Sequence, residues 1–205
     1  MDIITLSTLI LSVLIIVGVV GVVFKLFENS KPSVEYIVLL AMLVAVAVVG
    51  KLIGLALPSI QAASFIIIMA GVVFGKETGF LVGVLTSIVS DLVFGLGYWT
   101  LFKIIAWGLM GFTAGMVSSK MDNLPFRAGF GFIWGILYGW ITNLSMIIFL
   151  SEVNLNALIG LYVSSITLDV IHGAVNAILL IIAYTWFKKI FLRSKDRYLG
   201  DGSTS

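Results

Sequence analysis

The feature that most constrains this chain is the length of its stretches without charge. No charged residue stands between Asp2 and Lys25, and none stands between Arg127 and Glu152. A helix needs about 20 apolar residues to cross the hydrocarbon core of a bilayer, which is about 30 Å thick. Charged residues make up 11% of the chain, whereas soluble domains carry roughly a quarter. The sequence therefore predicts an all-α integral membrane protein with no soluble domain.

Seven apolar segments lie between clusters of charged or turn-forming residues, and they predict a compact bundle of seven transmembrane helices. The third and fourth are short for complete crossings, which indicates tilted or re-entrant segments, and the last is long enough to leave the bilayer. We assign 1–30 to an N-terminal transmembrane helix and basic loop, 31–190 to a six-helix core, and 191–205 to a cytoplasmic polar tail. The seven segments cover residues 3–24, 36–57, 63–74, 79–94, 99–117, 128–150 and 157–187.

The basic residues predict how the chain is oriented in the membrane. With the N-terminus outside, every loop that faces the cytoplasm carries Lys or Arg, and the outer loops carry neither. This distribution obeys the positive-inside rule, and only an odd number of crossings preserves it. We therefore predict an N-out/C-in topology. The basic residues on the cytoplasmic side are Lys25, Lys31, Lys76, Lys120, Arg127, Lys188, Lys189, Arg193, Lys195 and Arg197.

The residue inventory excludes several kinds of site. The chain has no cysteine and a single histidine, His172, which excludes disulfides, thiolate metal sites and cysteine nucleophiles. Because it has one histidine and its ten carboxylates are scattered, we predict no metal site. We also assign no catalytic group and no cofactor. The net charge of +2 gives no indication of nucleic acid binding, since the basic residues lie in short loops.

Five ionisable residues interrupt the predicted spans or lie at their rims. A charge in the bilayer interior costs several kcal/mol, so such residues usually face a cavity or a partner. The predicted topology places most of this polarity in the outer half of the membrane. The five residues are Lys51, Asp91, Lys103, Asp169 and His172.

Helical spacing brings several polar and aromatic side chains onto shared faces. The last span carries Asp169, His172 and Asn176 at positions i, i+3 and i+7, and the fifth carries Trp99 and Lys103 four residues apart. Aromatic faces with a few convergent polar groups are typical of small-molecule pockets. We predict an outward-side pocket lined by Gln61, Asp91, Trp99, Lys103, Trp140, Asn143, Asp169, His172 and Asn176.

A purely structural explanation of the same residues stays open. Asp91 and Lys103 can form an internal salt bridge, and tryptophans such as Trp99 can act only as anchors at the membrane interface. Small residues recur at four-residue spacing, which lets helix backbones pack closely in lipid. The deep polar face around Asp169 favours function, because buried polar groups are costly without a use.

Two segments carry a resemblance to a known family. The run AGVVFGKETGFLVG at 70–83 and the run SDLVFGLGYWT at 90–100, followed by AWGL at 106–109 and GFTAG at 111–115, resemble the S components of energy-coupling factor (ECF) vitamin transporters. The chain looks like the branch with an extra N-terminal span, and the likeness in span layout covers roughly 26–190. It departs from that branch at Asp91, where Asn is common, and at Lys103, where a Gln is common.

The resemblance implies the substrate-binding subunit of an ECF-type ABC importer in a bacterial or archaeal cytoplasmic membrane. The six-helix core would capture a small vitamin-like ligand from outside and deliver it inward with three partners, a transmembrane scaffold protein and two ATPase subunits. Ala41 and Ala45 match the Ala-x-x-x-Ala patch by which such subunits dock on the scaffold. The branch implies a cobalamin-type corrinoid first and another water-soluble vitamin, such as a flavin or pyridoxine, second.

Other functions remain open at the level of sequence. A solitary secondary transporter could use Asp169 and His172 as a proton relay. An intramembrane protease is suggested by His172 and Asn176 in a His-x-x-x-Asn element, but the Glu-Glu pair that such proteases need is missing. A structural scaffold subunit is the third alternative. Since nothing resembles a nucleotide-binding loop, the energy for transport has to come from partners or from an ion gradient.

Overall fold

The computed structural model describes residues 32–54, 59–150 and 152–200, together with isolated residues between 7 and 29. The predicted first span, 3–24, therefore lies largely outside the described residues. Within these ranges the chain is helical and contains no β-strand, which confirms the predicted all-α bundle. The α-helices of the described ranges are α1 (Val34–Ile53), α2 (Ala62–Phe74), α3 (Lys76–Phe94), α4 (Trp99–Met116), α5 (Leu124–Asn143), α6 (Leu155–Ile182) and α7 (Tyr184–Leu199).

Local sequence explains where several helices begin. The side chains of Ser33, Asn123 and Asn154 accept hydrogen bonds from backbone N–H groups in the first turns of α1, α5 and α6. Such caps satisfy donors that have no partner inside the helix. Gly75 alone separates α2 from α3 and has a φ of 101°, a left-handed conformation that glycine adopts at little cost.

In the part of the chain that the structure describes, four helical segments are long and apolar enough to cross a membrane: Val34–Leu52, Lys76–Phe94, Leu124–Ile147 and Leu155–Ile182. Helix α3 is longer than the predicted fourth span, 79–94, because it begins at Lys76. Helix α2 has 13 residues, which corresponds to about 20 Å at 1.5 Å per residue. It is too short to cross the hydrocarbon core upright, as the sequence indicated.

The short helix α2 lies at the centre of the bundle. Ile67, Ile68 and Met69 are fully buried, and α2 contacts α1, α3, α4, α6 and α7. The helices that it contacts surround it, and they expose apolar side chains such as Val93 and Val163. This arrangement explains how a short apolar helix is accommodated, because protein instead of lipid surrounds most of its length.

Glycines set the closest helix crossings. A Cβ atom added to Gly111 of α4 would lie 2.1 Å from the carbonyl oxygen of Gly79 in α3, and one added to Gly135 of α5 would lie 2.3 Å from the backbone of Gly173 in α6. Backbones approach this closely only where side chains are missing. The four-residue glycine spacing thus serves internal packing at these positions.

The last predicted span, 157–187, is two helices that meet at Ala183. Arg127, which is buried, donates from Nε to the carbonyl oxygen of Leu180 (2.8 Å), and its guanidinium lies 4.6 Å from the ring centre of Tyr184. These contacts hold Arg127 against the junction between α6 and α7. The Lys188 ammonium hydrogen-bonds Asp122 and lowers the pKa of that exposed carboxyl.

Helix α7 packs its apolar side against the bundle. Phe191 is buried, and the Lys195 ammonium donates to the carbonyl oxygen of Val73 (3.0 Å), one residue before the end of α2. The basic residues of the predicted tail therefore lie on a helix at the end of the bundle where α2 ends and α3 begins.

The membrane orientation is testable with reporters. We expect a phosphatase or fluorescent reporter fused after Arg197 to behave as cytoplasmic and one inserted at Glu152 as external, because of the loop charges. Enzymatic activity and fluorescence of the paired fusions measure the side. Two fusions on the same side would contradict the single crossing that is predicted between them.

Candidate functional site

Asp91 is the centre of a buried cluster of charges. Its Oδ1 atom accepts from the ammonium groups of Lys51 (2.9 Å) and Lys103 (2.9 Å), and Lys103 also reaches Oδ2 (3.2 Å). Thr100 donates to Oδ2 at 2.8 Å, and Lys51 donates to Ser90 at 2.8 Å. The carboxylate of Asp91 is only 1% exposed. We call Lys51, Asp91 and Lys103 the charge cluster; it joins α1, α3 and α4.

The turn between α3 and α4 positions this cluster. Asp91 is in the last turn of α3, where its carbonyl accepts from the N–H of Gly95, a residue with a φ of 111°. The N–H of Gly97 donates to the hydroxyl of Thr100 in the first turn of α4. The reversal therefore brings Thr100 and Lys103 back onto the carboxylate. The predicted Asp91–Lys103 salt bridge is present, with Lys51 as a second cation.

A second buried group surrounds His172. The ring Nε2 of His172 lies 2.9 Å from the hydroxyl of Ser64, which also accepts a hydrogen bond from the indole of Trp107 (3.0 Å). Tyr138 stacks on Trp107 with ring centres 5.3 Å apart and meets His172 edge-on at 4.9 Å. We call these four residues the aromatic cluster; they come from α2, α4, α5 and α6.

Trp107 connects the two groups. The Lys51 ammonium lies 5.6 Å from the Trp107 ring centre and 5.3 Å from that of Phe94, within the range of cation–π attraction. Polar and aromatic groups from six helices thus form one continuous buried region. Such convergence is typical of a site that recognises a small molecule.

Two predicted residues have buried amide atoms without a hydrogen-bond partner. Both the Nδ2 and the Oδ1 atom of Asn176 are buried and unpaired. The Oε1 atom of Gln61 is also buried and unpaired. Buried polar groups are nearly always paired, because leaving one unpaired costs about 1–3 kcal/mol. Asn176 follows His172 by one helical turn on α6. Its donor and acceptor are therefore both unsatisfied by the described residues.

Asp169 and Asn143 lie in a different hydrogen-bond chain. Asn143 donates to the hydroxyl of Ser165 (2.6 Å), and Ser165 donates to a carboxylate oxygen of Asp169 (2.9 Å). The carboxylate lies against Gly139 of α5, so that a Cβ there would overlap it. No ion pair among the described residues includes Asp169. These groups link α5 and α6, and Asp169 and His172 share a helix but no hydrogen bond.

The two predicted tryptophans lie at the periphery. Trp140 is 45% exposed and contacts Tyr162 with ring centres 5.8 Å apart. Trp99 is partly buried and contacts Tyr98, which in turn contacts Phe149 of the 3-10 helix Leu144–Phe149. The aromatic groups around Trp99 cover the turn above the charge cluster, whereas Trp140 faces away from the buried region.

Sequence reasoning missed four residues of this region. The sequence identifies Lys51 as an ionisable residue within a span and places Trp107 on one helix face with Trp99 and Lys103, at four-residue spacing, but the predicted pocket includes neither Lys51 nor Trp107. Ser64 and Tyr138 carried no signal, because isolated Ser and Tyr residues are common in membrane helices. Among the described residues no group of three His, Asp or Glu side chains could hold a metal ion.

The predicted docking residues lie on the surface of α1. Ala41 and Ala45 are exposed, and they are flanked by the exposed side chains of Val34, Val38 and Val49. They therefore form a shallow depression in an apolar stripe instead of packing inside the bundle.

One comparison with known proteins gives a match. A family model described as "ECF-type riboflavin transporter, S component" matches residues 30–189. The match spans α1 to α6 and the first turn of α7, so it includes every residue of both buried clusters and the exposed alanines of α1. Comparisons with curated proteins and with solved structures found no match.

Proposed function

The chain belongs to the family of ECF-type riboflavin transporter S components, and from this premise we propose how it works. It is a membrane transport subunit and not an enzyme. In the proposal it is the substrate-binding subunit of an ECF-type importer in the cytoplasmic membrane of a bacterium or archaeon. It captures a water-soluble vitamin from outside and delivers it inward with partner subunits. The match over 30–189 is the observation that carries this proposal.

The proposed ligand is a flavin-type vitamin. The family description names riboflavin, and the aromatic cluster contains stacked indole and phenol rings, the kind of side chain against which a flat aromatic ring packs. The unpaired amide of Asn176 presents one donor and one acceptor, which complement the imide edge of an isoalloxazine. The family description does not support the corrinoid that we expected first from the sequence, and a cobalamin-type ligand becomes the alternative.

The proposed pocket is the buried region between the charge cluster and the aromatic cluster. Of the predicted residues, Asp91, Lys103, His172 and Asn176 border it most directly. Gln61, immediately before α2, would close it from outside. Trp99, Asn143 and Asp169 would support its walls, and Trp140 would act from the periphery.

Delivery of the ligand requires partners in this proposal. The scaffold protein docks on α1 at the depression formed by Ala41 and Ala45, and two ATPase subunits supply the energy. A groove of about 500 Å³ opens beside this face, lined by Met42 of α1 and by α7 residues that include Arg193 and Arg197. Small side chains allow a partner helix to approach closely, as in other membrane interfaces.

The docking proposal is tested by bulky substitutions. We expect Ala41→Leu or Ala45→Leu to reduce uptake of labelled riboflavin about tenfold or more, because a steric clash of about 1–3 kcal/mol would fall on the interface. Binding to the purified subunit should stay unchanged. Val163→Phe, at an exposed position of α6, is the matched control and should transport normally.

Uptake in cells with and without the partner subunits distinguishes the two transport mechanisms. Uptake that disappears without the scaffold and ATPase subunits supports the proposed importer. Uptake that persists without them would favour a solitary secondary carrier. If Ala41→Leu instead abolished binding and uptake together, the alanines would pack the fold and not a partner. Mass spectrometry of the ligand that co-purifies from the native host identifies the vitamin and decides between a flavin and a corrinoid.

A further inference from the structure

The charge cluster contains one more cation than anion. Lys51 and Lys103 share the single carboxylate of Asp91, so the formal charge of the cluster is +1. Asp91 is the ion-pair partner of each lysine, and no second carboxylate of the described residues pairs with either. The side chain of Lys51 is 10% exposed and that of Lys103 is 18% exposed. A charge this poorly hydrated is costly unless an opposite charge compensates it.

Stability alone does not account for the second lysine. One cation would neutralise Asp91, and Thr100 already satisfies its other oxygen. The faces of Phe94 and Trp107 compensate part of the charge on Lys51, but a ring carries no net charge. A buried pair plus an extra cation is therefore an incomplete arrangement that a further anion would complete.

The excess charge adjoins the region where the ligand would bind. Lys51 lies against Trp107, and Trp107 belongs to the aromatic cluster. Lys103 is the more exposed of the two lysines, close to the turn between α3 and α4. A molecule stacked on the aromatic cluster would thus have one end near both ammonium groups.

We propose that the ligand carries an anionic group, a carboxylate or a phosphate, that binds to Lys51 and Lys103 and neutralises the charge cluster. This inference rests on the proposed function and narrows its substrate class. For a flavin it selects the phosphorylated form over neutral riboflavin. For another vitamin it selects the acid over its neutral amide or alcohol.

The test uses pairs of compounds that differ in this group. The purified protein in lipid nanodiscs is titrated with flavin mononucleotide and riboflavin, pantothenate and pantothenol, nicotinate and nicotinamide, and biotin and biotin amide. Isothermal calorimetry and thermal shift report binding. We expect the acid of at least one pair to bind about tenfold more tightly than its neutral partner, as charge-assisted hydrogen bonds in a poorly hydrated site predict.

Variants show whether formal charge is the cause. Lys51→Met leaves Asp91 paired with Lys103 and brings the cluster to zero, so the preference for the acid should disappear. The double variant Asp91→Asn/Lys103→Gln leaves Lys51 as the one charge and should keep the preference. Lys76→Gln removes an exposed lysine at the start of α3 and serves as the control, with binding unchanged.

The outcomes separate this inference from the proposed function. Equal affinity for acid and neutral compound in every pair that binds, a preference that survives Lys51→Met, or no binding by any acid in the panel would overturn the anion inference. None of these results affects complex formation with the scaffold and ATPase subunits, which tests the transport function. Loss of that complex with a retained acid preference would instead contradict the importer and leave an anion-binding membrane protein.

Discussion

Asp91→Asn is expected to destabilise the protein by about 3 kcal/mol, because breaking a buried ion pair leaves the remaining charge uncompensated. In this cluster the substitution would leave two uncompensated charges, because the ammonium groups of Lys51 and Lys103 both lie 2.9 Å from the same carboxylate oxygen. Without that carboxylate they face each other across a poorly hydrated space. Fluorescence-detected size-exclusion chromatography after heating measures the loss as a lower midpoint of unfolding.

A second substitution should rescue this variant. Asp91→Asn/Lys103→Gln removes one of the two stranded cations, so its midpoint of unfolding should return most of the way to that of the unmodified protein. Such non-additivity is expected for residues in direct contact. Asp122→Asn is the matched control, since the exposed Asp122–Lys188 pair should contribute less than about 1 kcal/mol. Equal midpoints for Asp91→Asn and Asp122→Asn would show that the charge cluster contributes nothing special to stability.

Gly111→Val is expected to prevent the helices α3 and α4 from packing. A Cβ at Gly111 would lie 2.1 Å from the carbonyl oxygen and 2.4 Å from the carbonyl carbon of Gly79. These are backbone atoms of the facing helix, so no rotamer change can relieve the overlap. We expect a loss of about 3 kcal/mol or more, at the upper end of what overpacking costs.

Expression and chromatographic behaviour measure this effect. Gly111→Val should give little monodisperse protein in detergent at a temperature where the unmodified protein is stable. Gly160→Val is the control, because a Cβ at Gly160 of α6 has no atom within 4 Å. Both variants exchange a glycine for a valine in the interior of a helix. Comparable monodisperse yields for the two variants would mean that α3 and α4 can separate at this crossing without loss of the fold.

The charge cluster belongs both to the helix packing and to the proposed ligand site. The charge cluster joins α1 to the α3–α4 pair, and α1 also carries the exposed alanines of the proposed docking face. A ligand that neutralises the cluster would tighten the position of α1 relative to α3 and α4. The two functions proposed for α1, ligand binding at its outer end and docking in its cytoplasmic half, would then act through one helix.

The apolar runs and their flanking charges determined the class of the protein and most helix positions. The predicted segments 63–74 and 99–117 agree within a residue with Ala62–Phe74 and Trp99–Met116. This succeeds because helix formation in lipid depends on local hydrophobicity, which every window of the sequence records. The pairing of Asp91 with Lys103 was also predictable, since a short turn separates them.

Only the tertiary structure decided which distant residues meet. Arg127 hydrogen-bonds Leu180, 53 positions later, close to the junction at Ala183 that divides an apolar run which the sequence presents as continuous. Lys51 reaches Asp91 because α1 packs beside α3, and Ser64 meets His172 across 108 positions. Hydropathy and helical phase specify the face on which a side chain lies, but not the helix that faces it. That choice depends on how the helices pack around α2, and the second cation of the charge cluster therefore becomes visible only in the assembled bundle.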